Sequence, residues 1–109
     1  MNDDIKLEKS TGNVFDDLGL PEAGERLAKA DLALKIAQII NKRHLSQAQA
    51  AELLGITQPK VSAILNGRLR GFSLEKLLHL MIALDRDIEI VVKRKPRTKD
   101  HGELRVKYA

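Results

Sequence analysis

The stretch of residues 46–67 constrains the fold most, because it holds two short helical patterns separated by only two residues. Ser46 can cap the first helix, and Gln49, three positions later, can complete a capping box. Gly55 can adopt the left-handed conformation that a tight turn between helices requires. Thr57 then suits the N-cap of the second helix. The pattern predicts two helices that cross closely at a short turn.

These two helices are expected over 46–54 and 57–66, and their side chains fit such a crossing. The first helix carries small residues that allow a close approach, namely Ala48, Ala50 and Ala51. Ile56 and Val61 can fill the angle between the helices. This is the sequence form of a helix-turn-helix, although an αα-corner without a ligand has the same local pattern.

Helical spacing extends upstream of this motif, from Pro21 to about residue 43. Pro21 suits the first turn of a helix. Asp31 could cap a second piece, so one long helix and two shorter helices both fit the pattern. Apolar residues recur at three- and four-residue steps and predict the buried face: Leu27, Ala30, Leu34, Ala37 and Ile40.

Downstream, Ser73 is expected to cap a fourth and strongly apolar helix. Lys76 stands where a capping box would place an acid. The apolar positions of this helix are Leu74, Leu77, Leu78, Met81, Ile82 and Leu84. The domain is therefore expected to be all-α over 21–86, with the two-helix motif at its centre.

Residues 87–93 alternate between apolar and charged side chains, which predicts a short β-strand. Because a lone strand cannot satisfy its own hydrogen-bond ladder, we expect it to join two copies of the chain. The apolar face that would form the dimer interface contains Ile88, Ile90 and Val92. Antiparallel registers centred on Ile90 or on Val91 are both chemically sensible. An interface on the fourth helix around Leu78 and Met81 is the alternative.

Several classes of protein are disfavoured by composition. The absence of cysteine excludes disulfides and thiolate zinc sites. Three aromatic residues are too few for a protein that binds single strands by stacking. No apolar run approaches the roughly 18 residues that a membrane span needs. His44, His79 and His101 are scattered rather than paired at ligand spacing. We therefore expect no metal, no cofactor, no enzyme activity and no membrane association, and a cytoplasmic location.

Charge divides the chain into unlike parts. Residues 1–31 hold 4 basic and 8 acidic residues, residues 32–84 hold 7 and 2, and residues 85–109 hold 8 and 5. The basic middle and the basic tail over 94–109 suit a polyanion, although a solvated surface has the same composition. Residues 1–20 are expected to form an acidic, flexible arm. Its small apolar cluster of Val14, Phe15 and Leu18 suits packing on the domain or docking to another protein.

Residues 46–67 resemble the helix-turn-helix of Cro/CI-type (XRE) transcriptional regulators. The family pattern is matched at Gln47, Ala51, Gly55, Val61, Ser62, Ile64 and Gly67. The resemblance implies a lambda repressor-like helical DNA-binding domain. The wider layout, with the arm segment 12–21, the helical domain and a strand after Leu84, is similar to small HigA-type antitoxins.

This resemblance also implies roles for individual residues. Gln58 and Lys60, at the start of the recognition helix, would contact base edges. The DNA backbone would be contacted by Gln47, Thr57, Ser62, Asn66, Arg68 and Arg70. Pro59 and Ala63 depart from the family pattern, because both stand where a base-reading polar side chain would be useful.

The function expected from the sequence is that of a transcriptional repressor. It would bind duplex DNA as a homodimer, with helix 57–66 in the major groove. The alternative is an antitoxin that neutralises a partner toxin and regulates its own operon.

Overall fold

The computed structural model describes residues 22–109 of the chain, with side chains from residue 24 onward. The described residues contain four helices: α1 (Glu22–Lys42), α2 (Gln47–Leu54), α3 (Gln58–Leu65) and α4 (Leu74–Ala83). The all-α prediction for the domain is confirmed. The predictions for the arm over 1–20 and for Pro21 lie outside the described residues.

The first helix continues through Asp31 without a break. Its buried face differs from the predicted one, because Leu27 and Leu34 are 65% and 60% exposed and only Ile40 of the predicted set is fully buried. The face of α1 that packs against α3 and α4 is on a different side of the helix from the predicted face. It consists of Ala28, Leu32, Ala33, Ile36, Ile39 and Ile40.

The caps of α2 and α3 form as the sequence predicts. Ser46 Oγ accepts a hydrogen bond from the Gln49 amide at 3.0 Å, and Gln49 Oε1 accepts one from the Ser46 amide at 2.8 Å. Gly55 ends α2 with a φ of +70°, a conformation that is strained for residues with a Cβ. These local bonds fix a turn of three residues between the two helices.

The core lies where α1 and α4 pack together and where α2 and α3 close over them. Val61 of α3 and Leu77 of α4 are completely buried, and Ile56 of the turn packs against the same cluster. Two details differ from the predicted faces: Ala48 is exposed, and Ile82 is exposed whereas Leu80 is buried. The small face that admits the crossing is thus formed by Ala50 and Ala51.

Arg43 joins the C-terminal ends of α1 and α4. Its guanidinium donates to the Leu84 carbonyl at 3.0 Å and to the Asp85 carboxylate at 3.2 Å. A helix end leaves carbonyls without intrahelical partners, so this contact satisfies one of them. It also sets the point at which the chain leaves the helical domain.

The predicted strand over 87–93 is absent from the described residues. An extended segment is a strand only when a second segment completes its ladder, and none of the described residues does so. Ile88 instead packs against the domain's own core, while Ile90 and Val92 remain 78% and 91% exposed.

Within the described part of the chain, no helix has the length and apolar character needed to cross a membrane. The same residues contain no group of acidic and histidine side chains arranged to hold a metal ion.

Candidate nucleic-acid interface

Helix α3 is buried along one face, whereas its opposite face is exposed at Pro59 and half-buried at Ser62 and Ala63. Val61 and Ile64 are buried against the domain. Successive residues of a helix are about 100° apart, so the direction away from these two residues falls on Pro59, Ser62 and Ala63. This outer stripe is short-chained and largely apolar, and it limits the number of polar groups that α3 can present.

The polar groups of α3 are concentrated at its N-terminal end. Gln58 and Lys60 are exposed, one on each side of the outer stripe. Thr57 caps the helix by accepting the Lys60 amide on Oγ1 at 3.4 Å. A hydroxyl that accepts a hydrogen bond can still donate its own proton, so Thr57 keeps a donor for an anion.

Gln47 stands at the first residue of α2 and is exposed. The neighbouring capping box occupies Ser46 and Gln49, not Gln47. The side-chain amide of Gln47 is therefore available beside the positive end of the α2 dipole, where an anion is stabilised.

A groove runs between α3 and the N-terminal end of α4. Its volume is about 450 Å³, and its walls include three cationic side chains, Lys60, Arg70 and Lys76. Pro59, Ala63 and Phe72 form apolar parts of the same groove. None of the three cations is paired with a carboxylate among the described residues. The groove thus concentrates positive charge directly beside the exposed start of α3.

Lys76 was not among the site residues predicted from sequence. The available signal was its position: the Lys76 amide donates to Ser73 Oγ at 3.0 Å, in the first turn of α4. An acid is favoured there by the helix dipole, and a lysine is not. A lysine in the first turn of a helix is unfavourable for that helix, so the position of Lys76 points to a contact outside α4.

Ser62 lies in the last turn of α3, and Asn66 follows the helix as its C-cap. The Asn66 side-chain amide donates to the Ser62 carbonyl at 2.8 Å and lies 3.4 Å from Ser62 Oγ. Asn66 therefore stabilises the end of α3 in the free protein. Arg68 and Arg70 follow in the loop to α4, and both are exposed.

Residues 14–93 match the family described as a helix-turn-helix domain. The chain is also 48% identical to a solved structure described as an XRE family transcriptional regulator, over 82% of this chain and 100% of the other, with a TM-score of 0.77. No curated protein matches the sequence. The fold, the capped two-helix motif and these likenesses agree, and the protein belongs to the XRE family of helix-turn-helix transcriptional regulators.

Proposed function

We propose that the protein binds duplex DNA sequence-specifically, with α3 in the major groove, and represses transcription, including that of its own gene. The observation that carries this proposal is the exposed polar start of α3 beside a groove with three cations. An α-helix fits the major groove, and cations beside it neutralise the flanking phosphates.

Base recognition would depend on Gln58 and Lys60. A glutamine amide can bond bidentately to adenine, and a lysine can reach a guanine edge or a phosphate. Ala63 can offer a thymine methyl only an apolar contact, and Pro59 adds no polar group. Because few side chains of α3 can contact base edges, part of the specificity would come from the shape and deformability of the DNA.

The surrounding polar residues would hold the DNA backbone and orient α3. A phosphate contact fixes register without reading sequence. The residues proposed for this role are Gln47, Thr57, Ser62, Asn66, Arg68 and Arg70, and the groove adds Lys76 to them.

We infer further that the active form is a homodimer. The helical core over 31–84 is small for independent stability, and the consecutive apolar residues Ile90, Val91 and Val92 are exposed beside it. Antiparallel pairing of 87–93 with a second copy would complete the ladder, in a register centred on Ile90 or on Val91. An interface around Met81 is disfavoured because that side chain is buried.

A two-fold dimer would place its recognition helices in successive major grooves, about 34 Å apart. The operator would then be nearly palindromic.

The direct test is footprinting on the DNA upstream of the protein's own gene at two salt concentrations. Gln58→Ala should lower operator affinity by about 1–3 kcal/mol, because a bidentate amide–base pair is lost. Gln38→Ala is the matched control, since Gln38 is an exposed glutamine on α1. Equal operator binding by Gln58→Ala and the parent would show that α3 is not the recognition helix.

Arg68→Ala separates backbone contacts from base contacts. It should weaken binding to all sequences alike and flatten the slope of log K against log salt by about 0.9 for each bound protomer, because each loses one phosphate contact. A loss confined to the operator sequence would contradict the backbone role.

Toxin neutralisation is the second candidate function. The observation that favours it is the excess of acid in residues 1–31, beside a basic domain. Deleting residues 1–20 should then abolish protection against a co-expressed toxin from the neighbouring reading frame and leave operator binding within a few-fold. If the deletion leaves protection intact, the arm has no part in neutralisation.

A further inference from the structure

The C-terminal segment, residues 85–109, is attached near both of its ends to the helical domain, residues 22–84. Ile88, near its start, and Val106, near its end, pack against the hydrophobic core. The Tyr108 hydroxyl donates to the Asp31 carbonyl at 3.1 Å, and Lys35 Nζ lies 5.3 Å from the centre of the Tyr108 ring. Residues between these attachments therefore form a loop with two fixed ends.

A turn orders the middle of this loop. The Lys99 amide donates to the Pro96 carbonyl at 3.2 Å, and Lys95 Nζ donates to the Lys99 carbonyl at 2.9 Å. Lys99 Nζ bonds Glu103 Oε1 at 2.8 Å, and this contact lowers the pKa of Glu103. Two lysines of the turn are thus occupied in holding it together.

Within the described part of the chain, the other basic side chains of this turn have no ion-pair partner. Residues 94–99, called the basic loop below, contain four basic residues and no acid. Arg94 and Arg97 are exposed, and neither forms an ion pair with a described residue. Lys95 also lacks an ion pair with a described residue, but its ammonium donates to the Lys99 carbonyl. Arg94 and Arg97 are therefore the cations of the basic loop that are not engaged within it.

We propose that the basic loop is a second phosphate-binding element, which contacts the backbone of duplex DNA in addition to the helix-turn-helix. This inference rests on the proposed function in DNA binding. Arginine suits phosphate because its planar fork donates two parallel hydrogen bonds.

Other occupants fit the basic loop less well. It has no aromatic residue, so it lacks the stacking platform that single-stranded nucleic acid requires. It also lacks a large apolar side chain to anchor a protein interface. Fixed ends reduce the conformational entropy that ordering a loop on DNA would cost.

The test is the salt dependence of binding to a 40-base-pair duplex of unrelated sequence, with the full chain. Arg94→Gln/Arg97→Gln should flatten the slope of log K against log salt by about 1.8 for each bound protomer, since each protomer loses two phosphate contacts. Arg26→Gln/Lys107→Gln is the control, because both residues are exposed and lie outside the basic loop. The control should leave the slope unchanged.

An unchanged slope for Arg94→Gln/Arg97→Gln, in a protein that binds the duplex, would overturn the inference and leave the proposed function standing. If the parent itself does not bind duplex DNA, both fail. Polyglutamate serves as a second probe. Impaired polyglutamate binding with normal duplex binding would identify the basic loop as a docking element for an acidic protein, and would also overturn the inference.

Tyr108 tests whether the attachment of the loop matters. Tyr108→Ala should weaken duplex binding several-fold and leave the salt slope unchanged, because the arginines remain but the loop is loosened. Tyr108→Phe retains the ring beside Lys35 and should have a smaller effect. Parent-like affinity of Tyr108→Ala, with an unchanged circular dichroism spectrum, would show that the loop binds without this attachment.

Discussion

The helical domain, residues 22–84, and the C-terminal segment, residues 85–109, satisfy their backbone groups in different ways. Each helix closes hydrogen bonds within itself, and the N-caps of α2, α3 and α4 are neighbours in sequence, as Ser73 Oγ is for the Lys76 amide. In the C-terminal segment, residues 86–96 form neither a helix nor a strand within the described part of the chain. A helix is therefore complete within one chain, whereas an extended segment depends on what lies beside it.

The burial of side chains also differs between the helical domain and the C-terminal segment. Among the described residues, every fully buried side chain lies between Ala28 and Leu84. Beyond Leu84 the chain contributes only partly buried apolar contacts, through Ile88 and Val106. Apolar burial is the main favourable contribution to folding, so the helical domain supplies the stability and the C-terminal segment remains available for contacts with other molecules.

The largest expected effect lies in the C-terminal segment. Ile90→Pro removes a backbone donor from 87–93 and should prevent the proposed pairing, with the helices left intact. Loss of the second half-site should lower operator affinity by about 10²–10⁴. Sedimentation should show a monomer, and circular dichroism should show the parent's helix content.

Ile90→Ala is the control for this experiment, because it retains the backbone N–H. It should remain a dimer, weakened at most by the smaller side chain. A tight dimer of Ile90→Pro would place the interface elsewhere and would remove the proposed reason for the exposure of Ile90 and Val92.

The helical domain should respond to changes in its core and tolerate changes on its outer face. Leu77→Ala should destabilise the protein by about 2–5 kcal/mol, because Leu77 is completely buried. Leu34→Ala, on the exposed side of α1, should change stability by about 0.5 kcal/mol or less in the monomeric Ile90→Pro background. Urea unfolding measures both. Equal losses would show that Leu34 is covered, as the sequence pattern predicted.

The smallest effect concerns the attachment of the C-terminal segment to α1. Burial, together with the nearby Asp31 carboxylate, raises the pKa of Tyr108. The stability that protonated Tyr108 contributes should be fully present below the pKa that Tyr108 has in the unfolded chain. It should be lost as the pH rises through the pKa of Tyr108 in the folded protein. The sequence has one tyrosine and no tryptophan, so its ultraviolet absorbance reports Tyr108 alone. The pH midpoint of Tyr108 deprotonation should be higher in the native protein than in 8 M urea. Equal midpoints would contradict the contact between Tyr108 and α1.

Sequence patterns located the two-helix motif and its caps, but they selected the wrong face of α1. Leu27 and Leu34 follow the same helical spacing as Leu32 and Ile36, so periodicity alone does not distinguish the two stripes. The choice is made by packing against α3 and α4. Lys76 was missed for a related reason, since its proximity to Lys60 and Arg70 depends on how α4 meets α3.

What the sequence determined by itself is the positions at which α2, α3 and α4 begin. Caps depend on residues three positions apart, as in Ser46 with Gln49, and on one glycine with a positive φ, Gly55. Tertiary structure alone decided which side of α1 is buried, which cations line one groove and where Tyr108 attaches the C-terminal segment. The physical reason is range: caps and turns are local interactions, whereas burial, charge clustering and strand pairing depend on residues distant in sequence or on a second chain.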